Sequence, residues 1–190
     1  MYKRMKLIDT VRIAPHLLGE DLNSCVKHEL QNNLEGRVDK KIGAIVAVTD
    51  INEVGDGHVL VGDGAIYYDV TFEAIVFLPQ LQEVVEGQVV EVVEFGSFVS
   101  IGPMDCLLHV SQITDEFMSY DGKNGRLISK NSGKALSEGD KVRTRIVAVS
   151  INEREPRDSK IGLTMRQHAL GKQEWLEDER NKNLKNKQED

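Results

Sequence analysis

The sequence predicts an α+β domain followed by an all-β domain, and three observations carry that prediction. Between Asp21 and Gly36, large apolar residues recur every four positions, the spacing of one helix face. Around that stretch lie segments rich in Val, Ile, Tyr and Phe, several of which alternate with polar residues as strands do. Pro79 and the polar Gln80 to Gln82 then mark a boundary, so residues 1–80 form the first domain.

Taken in order, Lys3 to Ile13 places Met5, Leu7, Val11 and Ile13 on one alternation parity, which predicts a strand ending near Pro15. Asp21 is the expected cap of a helix whose Leu22, Val26, Leu30 and Leu34 share a core-facing side, and Gly36 stops it. Ile42 to Ile51, Val59 to Val61 and Ala65 to Leu78 are predicted strands separated by glycine-containing turns. The second domain covers residues 81–170, with its first strand at Gly87 and a short helix expected near Asp115 to Tyr120. From Gly171 to Asp190 eleven residues are charged and only Trp175, Leu176 and Leu184 are large and apolar, so residues 171–190 read as a frayed helix or disorder.

Composition narrows the function classes. No apolar run approaches the ~20 residues of a membrane span, and the opening residues lack the apolar stretch of a signal peptide, so a cytoplasmic protein with no membrane partner is expected. Cys25 and Cys106 are the only cysteines and they fall in different predicted domains with no second cysteine near either, so each reads as a small buried apolar side chain, with no metal and no cofactor expected. Asn131-Ser-Gly133-Lys134-Ala135 lacks the hydroxyl residue and preceding strand of a phosphate loop. Asp50-Ile-Asn52-Glu-Val-Gly55 begins like a calcium loop but puts Val54 and Val61 where oxygen ligands are required. No nucleophile or acid–base constellation is recognisable, and no catalytic residue is assigned.

Charge is uneven within a net balance of -7. From Leu81 to Gly122 there are eight acids and no Lys or Arg, whereas from Lys123 to Arg166 eleven basic residues face five acids. In the second stretch Lys141, Arg143 and Arg145 alternate with Val142, Thr144 and Ile146, which makes one cationic stripe. Cys106, Leu108 and Val110 share a parity opposite to Leu107 and His109, so His109 lies outside. Phe95 and Phe98, three apart, share a face only if the strand is bulged, which Gly96 permits. Rings, an imidazole and cations supply stacking faces and phosphate partners for single-stranded RNA.

The run Gly87-Gln-Val-Val-Glu-Val-Val-Glu-Phe95-Gly96-Ser-Phe98-Val-Ser-Ile-Gly102, with Leu107-Leu-His109-Val-Ser111, Gly139 to Val149 and Lys160-Ile-Gly-Leu-Thr-Met-Arg166, resembles the oligonucleotide-binding barrel repeated in the largest small-subunit ribosomal protein. The resemblance implies a five-stranded OB-fold that binds RNA through Phe95, Phe98, His109, Lys141, Arg143, Arg145, Lys160 and Arg166. The match has departures. Ser150 and Lys160 stand where related barrels carry an acid and an arginine, and Cys106 replaces a glycine, which implies weaker or less selective binding.

The preceding domain, with Gly55-Asp56-Gly57-His58 and Gly62-Asp63-Gly64 ahead of Tyr67-Tyr68, resembles, together with the barrel, the larger stalk component of archaeal and eukaryotic RNA polymerases, known in archaea as E prime. The likeness covers nearly all of Met1 to Arg166. It implies a non-catalytic accessory subunit that docks on the polymerase core through Gly55, Asp56, Gly57, His58, Gly62, Asp63 and Gly64. It also implies pairing with a small helical subunit, F, and contact with emerging RNA during initiation and elongation. The alternative is an RNA-binding factor of translation initiation or of an RNA exonuclease complex, since those proteins carry the same barrel.

Overall fold

A computed structural model describes residues 1–17, 19, 21–153 and 159–186. Contacts divide the chain into two compact units, one formed chiefly by Met1–Leu78 and the other by Pro79–Ser150 and the chain from Ser159.

In the first unit, strand β1 (Tyr2–Ile13) is followed by helix α1 (Leu22–Leu34) and by β2 (Val38–Asp39), β3 (Gly43–Val59) and β4 (Ile66–Phe77). The four strands form one antiparallel sheet in the order β1-β4-β3-β2. Asp21 caps the helix, its carboxylate accepting from the Ser24 amide at 3.0 Å and from the Ser24 hydroxyl at 2.7 Å. Cys25, Val26, Leu30 and Leu34 bury one side of the helix against Val11, Ile13, Val70, Phe72 and Val76 of the sheet. Leu22 is not part of that face. It is 37% exposed, because it opens the first turn, and Cys25 fills the inward position instead.

The predicted strand at Val59 to Val61 is also corrected. β3 runs unbroken through Gly55 and Gly57, and only Val59 of that trio belongs to it. Four register shifts against β4, the last between Val54 and Gly57, absorb extra residues as bulges, so these glycines bend a strand and do not end one.

The second unit contains β5 (Val84–Val93), β6 (Gly96–Ser100), β7 (Asp105–His109), β11 (Lys141–Ser150) and β12 (Lys160–Thr164), arranged β12-β7-β6-β5-β11 and closed by a β11–β12 pairing. This is a five-stranded OB-type barrel. Val85, Val89, Val99, Cys106, Leu108, Val142, Ile146, Ile161 and Leu163 are buried within this unit.

No helix forms at Asp115 to Tyr120. The segment instead builds a small antiparallel sheet from β8 (Met118–Asp121), β9 (Arg126–Ser129) and β10 (Ala135–Ser137). Glu116 is drawn away from helical geometry by the hydroxyls of Ser129 and Ser132, which donate to its carboxylate and hold it below the usual carboxylate range.

The segment after Gly171 packs on the second unit. Gly171–Lys172 forms β13 beside β11, and Gln173–Asn186 forms helix α2. The Lys172 ammonium lies 3.0 Å from Asp140, and Lys134 sits over the Trp175 ring at 5.2 Å. Sparse apolar residues thus suffice, because two cationic contacts add to the half-buried Trp175 and Leu176.

Leu30→Ala removes a side chain that is 2% exposed, and it is expected to lower stability by about 2–5 kcal/mol. Urea denaturation checks this, and an unchanged midpoint would exclude α1 from the core.

Candidate nucleic-acid face and hairpin tip

The ring face is built by a tight turn and by one close strand approach. Val93 pairs with Gly96, so Glu94 and Phe95 are the two turn residues between β5 and β6. Phe95 is 52% exposed, Phe98 is half-buried, and their rings meet edge to face with centroids 6.4 Å apart. They therefore share a face, but not through a bulge between them. The β5–β6 register shift lies between Val89 and Glu91, and the turn position of Phe95 does the rest. Gly96 has a different role. A Cβ there would stand 2.3 Å from the Leu108 carbonyl oxygen, so only glycine lets β6 lie this close to β7.

Across that pairing Gly96 faces His109 and Phe98 faces Leu107. His109 is exposed at the end of β7, its Nδ1 accepting from the Ser111 amide at 3.2 Å and lying 2.8 Å from the Ser111 hydroxyl. Cys106 points the other way. It is fully buried, and burial pushes its thiol up to about 12, so the side chain that replaces a glycine fills the interior and leaves the ring face clear.

The cations are distributed less simply than one stripe beside the rings. Val142, Thr144 and Ile146 are buried and Lys141, Arg143 and Arg145 face outward, but β11 adjoins β5 and β12, not β6 or β7. Arg143 is bound by Glu86, whose Oε1 accepts from Nε at 3.0 Å and Nη2 at 2.8 Å. Arg145 keeps a buried Nε with no hydrogen-bond partner among the described residues. Lys160 is exposed at the start of β12, opposite Ser150, whereas Arg166 lies beyond the other end of that strand. The Met165 amide donates to the Gln112 carbonyl at 2.7 Å, which ties the approach to Arg166 to the 3-10 turn Val110–Gln112 that follows His109. Arg166 pairs there with Asp115, its Nε 2.7 Å from Oδ1. Exposed Glu91 and Glu94 flank the rings, so stacking, more than charge, distinguishes that end.

At the other candidate site, β3 and β4 close through a turn at Leu60 to Ala65, with the Asp63 amide donating to the Leu60 carbonyl at 3.1 Å and Gly62 at a φ of 94°. Asp63 is the hub of this turn. It accepts from Arg12 Nε and Nη2, both at 2.9 Å, from the Tyr67 hydroxyl at 2.7 Å and from the Ala65 amide at 3.1 Å. These bonds, led by that from Arg12, hold its carboxyl well below the ordinary range and raise the Arg12 guanidinium further above its own. His58 stacks on Tyr67 with ring centroids 6.0 Å apart. Gly57 faces Tyr68, and a Cβ there would stand 2.7 Å from that ring. Gly55, Asp56 and Gly64 are exposed on the same hairpin.

The predicted tip around Gly55 to Gly64 spans three side chains that were not singled out as contact residues. Val59, Leu60 and Val61 are 63%, 50% and 109% exposed. Three consecutive apolar residues between Gly57 and Gly62 are the signal that was available.

Relatives of known identity share both units. Residues 8–64 match the family model described as SHS2 domain found in N terminus of Rpb7p/Rpc25p/MJ0397, and residues 78–160 match the S1 RNA binding domain. The chain is 42% identical to DNA-directed RNA polymerase subunit Rpo7 of Saccharolobus shibatae, over 93% of this chain and 97% of the relative. It is 36% identical to subunit Rpo7 of Sulfolobus acidocaldarius, over 94% and 97% of the two chains. It is 27% identical to DNA-directed RNA polymerase III subunit RPC8 of Saccharomyces cerevisiae, over 85% and 79%. Among solved structures, the apo form of Mycoplasma genitalium RNase R aligns at a TM-score of 0.37 and 20% identity, over 44% of this chain and 13% of that one, too distant to bear on function.

Since the Asp63 carboxyl titrates lower folded than unfolded, its contribution is fully present above the unfolded value of about 3.9 and is lost as pH falls below it. Asp63→Asn should therefore be less stable than the parent at pH 7, with the difference shrinking as pH drops through and below about 4. Thermal melts at pH 7 and at about pH 2, well below the unfolded value, check this, and a difference that does not narrow between them would remove Asp63 from its place as hub.

Proposed function

The chain belongs to the Rpo7 family of DNA-directed RNA polymerase subunits, and from that premise we infer that it serves as the larger stalk subunit of such a polymerase. It is a non-catalytic, cytoplasmic subunit that docks by its first unit, binds the emerging transcript by its barrel and pairs with a small helical subunit, F. The single observation that carries the docking role is the exposed Val59-Leu60-Val61 cap on a hairpin whose Asp63 is already bonded to Tyr67 and to Arg12. Loops rarely leave consecutive large apolar residues in water unless another surface covers them. Asp63 and Gly57 then support the tip, while Gly55, Asp56, His58, Gly62 and Gly64 give it a slim profile able to enter a groove.

The RNA role rests on the edge-to-face Phe95–Phe98 pair beside His109. Rings that reach the surface together accept stacked bases of any sequence, each worth about 1–3 kcal/mol. Arg166 and Lys160 flank that face, and Arg145 adds positive charge from the outer side of β11. Lys141 adds to the phosphate attraction, and Arg143 does so once its Glu86 partner is displaced.

Val59→Asp with Val61→Asp is expected to abolish assembly with the polymerase core at micromolar concentrations while leaving RNA affinity unchanged. Phe95→Ala, Phe98→Ala and His109→Ala combined should weaken binding of single-stranded RNA at least tenfold and leave core assembly intact. Size-exclusion co-elution with core polymerase and fluorescence anisotropy with labelled RNA read the two effects. Loss of both activities in either variant, or of neither, would sink the division of labour.

A further inference from the structure

The rings of the β5–β6 turn leave one neighbouring feature of the barrel unexplained. A cleft of about 390 Å³ lies between the 3-10 turn Val110–Gln112 and the end of β12, bounded by Ser111, Asp115, Phe117 and Arg166. Phe117 is 76% exposed, yet its backbone is firmly held. Ile113 and Met118 are buried on either side of it. The Thr114 hydroxyl donates to the Glu116 carbonyl at 3.1 Å, and the Glu116 carboxylate is gripped by Ser129 and Ser132. A ring fixed at its root and bare on its faces binds a planar partner with little loss of freedom.

Arg166 forms the opposite wall. Its Nε and Nη2 lie 2.7 Å and 2.6 Å from a single oxygen, Oδ1 of Asp115, whose side chain is 74% exposed. An exposed pair of this kind holds weakly, and a phosphate offers the guanidinium a bidentate partner of higher charge. The cleft is continuous with the ring face, because Ser111 reaches His109 Nδ1 at 2.8 Å. The flanking Glu91 and Glu94 also repel a phosphate backbone from the β5 side and leave the Arg166 side open.

We propose that this cleft holds one further nucleotide of single-stranded RNA, its base stacked on Phe117 and its phosphate taken by Arg166 in exchange for Asp115. The inference rests on the barrel being an RNA binder, and it lengthens the site beyond the rings and His109. It also gives Asp115 a role as a competitor, an internal carboxylate that phosphate must displace.

The test is a fluorescence-anisotropy titration of the full chain with labelled oligouridine at low salt. Phe117→Ala should weaken binding about tenfold, the scale of one stacked base, and Phe117→Trp should retain it. Asp115→Asn should strengthen binding several-fold, and should do nothing in an Arg166→Gln background. If Phe117→Ala binds normally while the Phe95, Phe98 and His109 triple variant does not, the extra nucleotide position is overturned and RNA binding by the barrel stands. If neither set of changes weakens binding, both fall. Should Phe117→Ala misfold, unchanged affinity in Asp115→Asn, which removes no packed atom, overturns the exchange at Arg166.

Discussion

The second unit depends on β11 serving two partners in succession. Lys141 to Arg145 pair with β5, and Arg145 to Ser150 pair with β12, with a register shift between Ile146 and Ala148 just past the handover. That irregularity turns the corner that closes the sheet, so no barrel strand is left with a bare edge. Closure then dictates side-chain direction. Val142, Thr144 and Ile146 must fill the interior, which commits Lys141, Arg143 and Arg145 to the outside and brings Arg143 against Glu86 on the facing strand. The same closure sets β12 beside β7 in parallel, with Gly162 opposite Leu107, and so carries Arg166 past the end of β12 toward Asp115.

The two candidate surfaces solve opposite problems. At the hairpin tip every polar group of Asp63 is consumed internally, and what the turn offers outward is apolar. On the barrel the hydrocarbon is inside and the outward offer is rings, an imidazole and cations, several already engaged by carboxylates. A dry, apolar contact suits a stable partner, whereas screened cations and stacking rings suit a strand that must slide.

The α1 helix was legible because its period and its cap are local properties, and Asp21 does cap it through Ser24. The barrel was legible through its resemblance to the oligonucleotide-binding barrel, and the outward direction of its cations through the alternation on β11. Three features escaped. The bulges of β3 hide its continuity, since Gly55 and Gly57 look like turn residues until β4 is seen running alongside. The sheet of β8 to β10 was missed because Glu116 is claimed by Ser129 and Ser132, 13 and 16 residues away, and no window of sequence shows such a bond. The partition of the cations among Glu86, Asp115 and open solvent was equally invisible, because it depends on which strands become neighbours.

The chain contains a single tryptophan, and the fold places it in α2 beneath Lys134, with Glu179 of the same helix 3.9 Å from that ammonium. Intrinsic emission from this protein is therefore a local gauge. Excited selectively, the tryptophan registers whether the C-terminal helix is seated against Lys134 of the second unit.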